Sequence, residues 1–254
     1  MIIDTHSHIY LPEFDADRDS MLTRAENEGI SLVLMPAVDQ ETHLAMLKTE
    51  EDFPGKCLSM MGLHPCSVKE GYKQELKIAE EYLEKRRFVA VGETGLDFYW
   101  DKTFTKEQYE SFQIQIEWAK HYEIPVVIHS RNSIDECITT IKENQHGNLK
   151  GVFHCFSGDE RQAKAIIDLG FYLGVGGVVT FKNSGLDKVM RGIDMKNVVL
   201  ETDAPYLAPV PFRGKRNECS YLKYVVEKLA EIKNVSQEDI EGITTKNAKE
   251  LFNI

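Results

Sequence analysis

Short apolar segments recur along the chain, and each is followed by a longer stretch in which charged and apolar residues are mixed. Eight such segments begin over about 197 residues, so the repeat is roughly 28 residues, close to the size of one strand–helix unit. Most are nearly continuous runs of Val, Ile, Leu and Met, as in parallel strands that are covered on both faces. They occupy residues 1–5, 31–37, 57–62, 88–92, 125–128, 151–153, 171–175 and 197–201.

Eight strand–helix units in one chain predict a closed (β/α)8 TIM barrel that forms a single domain over residues 1–254. Two further helices are predicted after the eighth strand, at residues 221–233 and 237–252. A doubly wound open sheet is the structural alternative, because glycines weaken the pattern of the seventh strand. These are Gly170, Gly174, Gly176 and Gly177.

The stretches between the strands carry residues that usually begin and end helices. Gly29 and Gly170 stand where a helix C-terminus favours a left-handed residue. Capping boxes, in which a Ser or Thr pairs with an acidic or amide residue three positions later, are predicted at four helix starts. The pairs are Thr105 with Gln108, Ser133 with Glu136, Ser157 with Glu160 and Ser236 with Asp239.

The composition is that of an ordinary globular protein, with 42% hydrophobic and 28% charged residues. No apolar run approaches the roughly 18 residues of a membrane-spanning helix, so no membrane contact is expected. The N-terminus lacks the features of a secretory signal, and the five cysteines are odd in number with no C-x-x-C pair. We therefore expect a cytoplasmic protein with free thiols, and a monomer by default.

The net charge of −11 limits the kinds of partner that the protein can bind. Proteins that clamp long stretches of duplex DNA usually carry a basic face, and the sequence indicates none. If DNA is the substrate, we expect a local contact at a single strand or a frayed end, where metal ions supply much of the positive charge.

Histidines and carboxylates stand at the ends of five predicted strands. His6 and His8 end the first segment, and both imidazoles can reach one metal ion because alternate residues of an extended chain face the same side. An H-x-H pair by itself is only moderately specific, and a polar loop is the plain alternative. The other members are Glu93 after the fourth segment, His129 after the fifth, His154 after the sixth and Asp203 after the eighth.

These six side chains are predicted to form one metal site, because barrel active sites are built at the carboxyl ends of the strands. Four imidazoles and two carboxylates suit two divalent ions such as zinc, manganese or cobalt, and magnesium less well. The predicted arrangement has His6, His8 and Asp203 on one ion, His129 and His154 on the other, and Glu93 as the bridge. Glu93 and Asp203 are thus the predicted catalytic carboxylates, with Asp203 as the general base for the attacking water.

Basic and aromatic residues near the same rim are candidates for substrate contacts. His64, at the end of the third segment, is predicted to contact a phosphate or leaving group, with a structural role in its His-Pro turn as the alternative. Arg213, in the basic patch with Lys215 and Arg216, is predicted to bind a phosphate, with a solvated surface as the alternative. Arg131 is a weaker candidate of the same kind. Candidates for base stacking, or for simple packing, are Tyr99, Trp100, Tyr206 and Phe212.

The motifs that contain these residues resemble those of the TatD-like deoxyribonuclease family of metal-dependent hydrolases, over essentially the whole chain. The resemblance implies an amidohydrolase-like barrel, metal ligands at the six positions given above and metal-dependent, often exonucleolytic, hydrolysis of DNA. The matching motifs are D-T-H-S-H at 4–8, G-L-H-P at 62–65, G-E-T-G-L-D at 92–97, H-S-R at 129–131, H-C-F-S-G at 154–158, E-T-D-A-P-Y-L at 201–207 and F-R-G-K-R-N at 212–217.

Three functions stay open at the level of sequence. The leading hypothesis is hydrolysis of DNA phosphodiester bonds, and the second is hydrolysis of an amide or ester, including D-aminoacyl-tRNA deacylation, on the same scaffold. Glu93 stands where many amidohydrolases carry a modified lysine, and this position together with the basic segment 212–217 favours the phosphodiester. A non-catalytic binding protein is disfavoured because the predicted ligand set is complete.

Overall fold

Parallel strands alternate with helices along the chain, and the structure, a computed structural model, describes all residues from Met1 to Ile254. The strands are β1 (Ile2–Asp4), β2 (Ile30–Met35), β3 (Cys57–Ser59), β4 (Val91–Asp97), β5 (Val126–Arg131), β6 (Gly151–Phe153), β7 (Tyr172–Val175) and β8 (Val198–Leu200). The helices are α1 (Arg18–Asn27), α2 (Gln40–Asp52), α3 (Tyr72–Lys85), α4 (Thr105–Tyr122), α5 (Ile134–Asn144), α6 (Glu160–Asp168), α7 (Leu186–Gly192), α8 (Leu222–Lys233) and α9 (Gln237–Phe252).

The eight strands close into a ring. Strands β1 to β3 pair in sequence order, as do β4 to β8, and every pair is parallel. Backbone hydrogen bonds join the two groups at both seams: Gly92 donates to the Met61 carbonyl at 3.0 Å, and Thr5 donates to the Leu200 carbonyl at 2.9 Å. Because neither group keeps a free edge, the predicted (β/α)8 barrel is confirmed and the open doubly wound sheet is wrong.

An apolar layer fills the barrel beneath the candidate site. It takes one residue from seven strands or the positions next to them, together with the end of α9. The helix α9 therefore closes the amino-terminal end of the barrel. Alternate residues of a strand face the same side, so His129 follows Val127, and His154 follows Val152, on the inner face one layer higher. The members of the layer are Ile3, Leu34, Met60, Ala90, Val127, Val152, Val199, Ala248, Leu251 and Phe252.

The seventh strand forms despite its glycines, and Gly174 has a specific reason to be there. Strand β7 pairs with both β6 and β8. A Cβ atom at Gly174 would lie 2.3 Å from Oε2 of Glu201, so only glycine leaves room for that carboxylate against the strand. The weak strand signal thus reflects the close approach of a polar side chain.

The predicted helix ends are confirmed in part. Gly29 and Gly170 both have a φ of +81°, as a left-handed C-terminal residue requires. Ser236 and Asp239 form the predicted capping box of α9. These helix ends lie away from the site. There the hydrogen bonding is decided by the local sequence.

The other three predicted capping boxes are wrong. Ser133 donates its hydroxyl to the Leu96 carbonyl at 2.6 Å. Gln108 accepts the backbone N–H of Asp97 at 2.9 Å, and α6 is capped by Asp159 instead of the predicted serine. Ser133 and Gln108 are drawn to the end of β4, because the buried backbone groups there need partners.

All five cysteines are free, as predicted. None of the nine helices has the length and apolar character that crossing a membrane requires.

Candidate metal centre

The structure brings all six predicted ligands to the carboxyl ends of the strands. His6 Nε2 lies 3.1 Å from Glu93 Oε2 and 3.3 Å from His8 Nε2. His8 Nε2 lies 3.4 Å from Asp203 Oδ1. His6, His8 and Asp203 thus form one compact donor group, as the sequence predicted.

Glu93 extends the cluster to a second set of imidazoles through its other oxygen. Oε1 lies 2.8 Å from His154 Nε2 and 2.9 Å from His129 Nδ1. Oε2 faces His6 and His8. Each carboxylate oxygen of Glu93 therefore has its own set of nitrogen donors.

Glu93 and His129 lie within strands, whereas the sequence placed them just after strands. Strand β4 continues to Asp97 and β5 to Arg131, with a shift of register between Val91 and Thr94. The continuation depends on a glycine at position 95, with a φ of +131°, because a Cβ there would lie 2.1 Å from the carbonyl oxygen of His129. The motif G-E-T-G-L-D thus lets β4 and β5 run together past the apolar layer.

Tyr10 fixes the orientation of His8. The Tyr10 hydroxyl donates to the Pro36 carbonyl at 2.7 Å, so it accepts from His8 Nδ1, 3.0 Å away. Nδ1 of His8 therefore carries the proton, and Nε2 presents its lone pair to the cluster.

Asp97 has the same effect on His129. Its Oδ2 lies 2.8 Å from His129 Nε2, which places the proton on Nε2 and leaves the Nδ1 lone pair towards Glu93. Burial by itself raises the pKa of Asp97, but the hydrogen bonds from His129 and from the backbone of Trp100 outweigh it and hold the pKa below its usual value. Asp97 is thus an anion that orients a candidate ligand.

The donor set fits divalent cations. Lone pairs of His8 and His129 face carboxylate oxygens of Asp203 and Glu93, and acceptors held so close together need a positive charge between them. Burial by itself lowers the pKa of His154, but the Glu93 carboxylate outweighs it and raises that pKa well above its ordinary value. The facing lone pairs and carboxylates therefore suit a bound cation. The imidazole and carboxylate donors suit zinc, manganese or cobalt.

His64 lies beside the cluster but is oriented differently from the ligands. Its Nδ1 accepts the backbone N–H of Cys66 at 3.0 Å, so a neutral His64 carries its proton on Nε2. That N–H points towards Glu93 Oε1, 3.4 Å away. The geometry is that of a hydrogen-bond donor facing the site, in keeping with the substrate contact predicted for His64.

The basic patch of residues 213–216 divides into two parts. Arg216 forms a two-pronged ion pair with Asp17, at 2.7 and 2.8 Å, and so joins the segment to α1. Arg213 is exposed, its guanidinium lies 4.5 Å from the ring centroid of Phe181, and no carboxylate pairs with it. Only Arg213 and Lys215 thus remain free to meet a substrate.

The candidate aromatic residues also divide. Phe212 stacks on Tyr221 with ring centroids 4.2 Å apart, so it packs rather than presenting a free face. Tyr206, Tyr99 and Trp100 are exposed near the mouth of the barrel.

Sequence reasoning missed four residues that support the cluster. Besides Tyr10 and Asp97, the buried Asp4 accepts from the hydroxyl of Thr202 at 2.6 Å, and burial raises the pKa of Asp4 to about 7. Glu201 accepts the backbone N–H of Cys155 and lies 3.5 Å from His154 Nδ1. For the three carboxylates the available signal was their position at the end of an otherwise apolar strand, which the six stronger candidates overshadowed.

Known proteins resemble this chain over its full length. Residues 3–253 match the family described as TatD related DNase. The chain is 37% identical to the uncharacterized metal-dependent hydrolase YabD of Bacillus subtilis, with 100% of both chains covered. It is 32% identical to the uncharacterized metal-dependent hydrolase YcfH of Escherichia coli, over 100% of this chain and 96% of the relative.

A solved structure agrees with these relatives. The crystal structure of YjjV, a TatD homolog from Escherichia coli, superimposes with a TM-score of 0.93 and 30% identity, covering 100% of this chain and 98% of that one. The match includes the barrel and the strand ends that carry the donor cluster. The chain therefore belongs to the TatD-related DNase family, a group of metal-dependent hydrolases.

Proposed function

We propose that the protein hydrolyses phosphodiester bonds of DNA at single-stranded or frayed ends, using two divalent metal ions. The observation that carries the proposal is the division of Glu93, whose Oε2 faces His6 at 3.1 Å and whose Oε1 faces His154 at 2.8 Å. A single carboxylate between two sets of nitrogens is suited to holding two ions side by side. Ions bound in such a pair lower the pKa of a water and stabilise charge on the attacking and leaving oxygens.

Asp203 is the group that we assign to accept the proton of the attacking water. Burial by itself raises its pKa, but the nearby imidazoles of His8 and His154 outweigh it, so the pKa lies below its usual value and Asp203 is an anion at neutral pH. The Asp203 side chain is 14% exposed and that of Glu93 only 2%. Of these two carboxylates, Asp203 is the one that solvent reaches.

Two cationic or proton-donating groups support a phosphate substrate. The Nε2–H of His64 faces the cluster and is placed to donate to a phosphate oxygen or to the leaving group. Arg213, whose guanidinium lies 4.5 Å from the centroid of the Phe181 ring and has no carboxylate partner, offers a planar set of donors that matches a phosphate. The reacting centre of an aminoacyl ester carries no phosphate, which is why we place DNA first.

Few basic groups near the site are unpaired, which favours a single strand over a long duplex as the substrate. Two other arginines are neutralised, Arg216 by Asp17 and Arg24 by Glu218. With a net charge of −11, the protein has little to offer a long run of phosphates.

The test compares substrates under zinc, manganese, cobalt and magnesium in turn. Labelled single-stranded, blunt and frayed oligonucleotides are set against a D-aminoacyl ester, with Asp203→Asn as the inactive control. We expect metal-dependent shortening of the single-stranded and frayed oligonucleotides, abolished in Asp203→Asn. Ester turnover with intact DNA under every metal would overturn the proposal and favour the amide or ester hydrolase.

A further inference from the structure

Two aromatic side chains stand exposed beside the donor cluster, on the loop between β4 and α4. Tyr99 is 51% and Trp100 67% exposed, and their rings meet edge to face with centroids 4.9 Å apart. Arg131, at the end of β5, places its guanidinium 3.9 Å from the centroid of Tyr99 and 5.2 Å from that of Trp100. We call these three residues the stacking platform.

The stacking platform is fixed to the donor cluster through one carboxylate. Oδ1 of Asp97 accepts the backbone N–H groups of Tyr99 at 2.9 Å and Trp100 at 3.0 Å, while Oδ2 binds His129. The backbone of Phe98 also donates to the Arg131 carbonyl at 3.0 Å. The aromatic pair therefore sits at a set position relative to a candidate metal ligand.

Packing does not account for the stacking platform. Phe98, the neighbour of Tyr99, packs against the core, whereas Tyr99 and Trp100 belong to no core cluster. The other tryptophan, Trp118, is 6% exposed and donates its indole N–H to Glu80 at 3.1 Å. Trp100 has neither burial nor such a partner. Arg131 has no carboxylate partner, so its charge is also free.

We propose that the stacking platform binds an unpaired nucleobase of single-stranded DNA, with the base stacked on Trp100, whose ring Tyr99 supports edge to face, and the adjacent phosphate bound by Arg131. The inference rests on the proposed function and specifies its substrate. Aromatic faces and arginines are the usual means of holding single strands, and bases within a duplex are already stacked on their neighbours. The stacking platform thus selects a strand that has an unpaired base to offer.

The position of Arg213 indicates the path that the bound strand takes across the mouth of the barrel. The loops after β4 and β8 are four places apart in a ring of eight strands, so they lie on opposite sides of the donor cluster. A strand with one base on the stacking platform and a phosphate on Arg213 passes over Glu93 and Asp203. The scissile phosphodiester then lies between the two contacts.

The first experiment measures binding without cleavage. The chain has two tryptophans, and Trp118 is buried, so stacking at Trp100 is read as quenching of intrinsic fluorescence. Zinc-loaded Asp203→Asn protein is titrated with a short single-stranded oligonucleotide and with an abasic oligonucleotide of equal length. We expect the single-stranded oligonucleotide to quench the fluorescence and the abasic one to quench it little. When Trp100→Ala is combined with Asp203→Asn, neither oligonucleotide should quench it. Equal quenching by both oligonucleotides would overturn the inference.

The second experiment uses KM to test whether Trp100 and the bases of the oligonucleotide act together. In the wild type, removing the bases of the oligonucleotide should raise KM by about tenfold, the size expected from the loss of one stacked base. In Trp100→Ala the same removal should have little effect, and Trp100→Phe should restore most of the difference. A variant that loses activity equally on both oligonucleotides would show a structural role and refute the inference.

A matched pair of arginine variants tests the phosphate contact. Arg131→Gln should raise KM for the oligonucleotide and reduce its salt dependence. Arg191→Gln changes an exposed arginine at the end of α7, on the opposite face of the barrel. It should leave KM and its salt dependence unchanged. Equal effects of the two substitutions would show that only net charge matters.

The outcomes for the inference and for the proposed function can be distinguished. Base-dependent quenching without any DNA cleavage would mean that the stacking platform binds a strand but the reaction lies elsewhere. DNA cleavage with unchanged KM in Trp100→Ala would mean that the function stands and the stacking platform does not contribute.

Discussion

His129 donates its Nε2 proton to Oδ2 of Asp97 across 2.8 Å, and this one hydrogen bond decides which nitrogen of His129 faces the donor cluster. The opposite nitrogen, Nδ1, then lies 2.9 Å from Glu93. A carboxylate behind a ligating imidazole is a common means of fixing its tautomer and raising its basicity. Asp97 therefore supports the candidate metal centre by fixing which nitrogen of His129 faces the cluster.

Replacing Asp97 tests that conclusion. In Asp97→Asn the anion is lost and His129 is free to take the other tautomer, so metal affinity should fall by about 10- to 100-fold. Titration calorimetry with zinc or manganese measures the change. Asp101→Asn is the matched control, because Asp101 lies on the same loop and pairs with the exposed Lys69. Equal affinities of Asp97→Asn and the wild type would show that His129 needs no such partner.

Asp203→Asn should separate catalysis from folding. The amide cannot accept the proton of the attacking water, so kcat should fall by about 10²- to 10⁴-fold. The other five candidate ligands remain in place, so the thermal unfolding midpoint should stay close to that of the wild type in the presence of metal. Activity near the wild-type level would remove Asp203 as the general base.

Tyr10→Phe should destabilise the protein although it replaces none of the candidate ligands. The change leaves His8 Nδ1 and the Pro36 carbonyl without their buried partner. Unsatisfied buried groups of this kind lower the free energy of unfolding by about 1–3 kcal/mol. Urea unfolding measures the loss, with Tyr109→Phe, on the partly exposed face of α4, as the control. A loss no larger than that of the control would mean that the bonds at Tyr10 contribute little.

Removal of metal should lower thermal stability. Metal binds the folded site and not the dispersed ligands of the unfolded chain, so a free concentration 100 times the Kd adds about 2.7 kcal/mol. A chelator should therefore lower the Tm of the wild type, and it should lower the Tm of a His6→Ala, His8→Ala double variant less, because that variant has lost the ligands of one of the two ions. An unchanged Tm in the wild type, with or without chelator, would argue against a resident metal ion.

Acid should weaken the contact between α1 and the segment after β8. The hydrogen bonds from Arg216 lower the pKa of Asp17 from 3.8 to about 2, and Arg24 adds to the effect. Because the folded-state pKa is the lower one, the stabilisation is complete above about pH 4 and is lost as the pH falls towards 2. Urea unfolding at neutral and acid pH should show a smaller loss in Asp17→Asn than in the wild type. An identical acid loss in both proteins would place the effect elsewhere.

Local sequence predicted the elements well and their hydrogen bonding less well. The apolar segments located all eight strands, because a strand buried on both faces must be apolar wherever it lies in the barrel. The capping boxes failed where a tertiary partner competed. Ser133 and Gln108 fit a local box, yet each binds the backbone of β4, which the sequence around them does not reveal.

The sequence by itself determined the barrel and the identity of the six clustered side chains, since both follow from spacing: each strand end delivers its residue to the same rim. Only the tertiary structure decided how those side chains are oriented and which others support them. Tautomers set by Tyr10 and Asp97, the two-sided role of Glu93 and the free charge of Arg131 all depend on contacts between distant segments. Such contacts arise from the closure of the ring, which brings together groups that no local pattern connects.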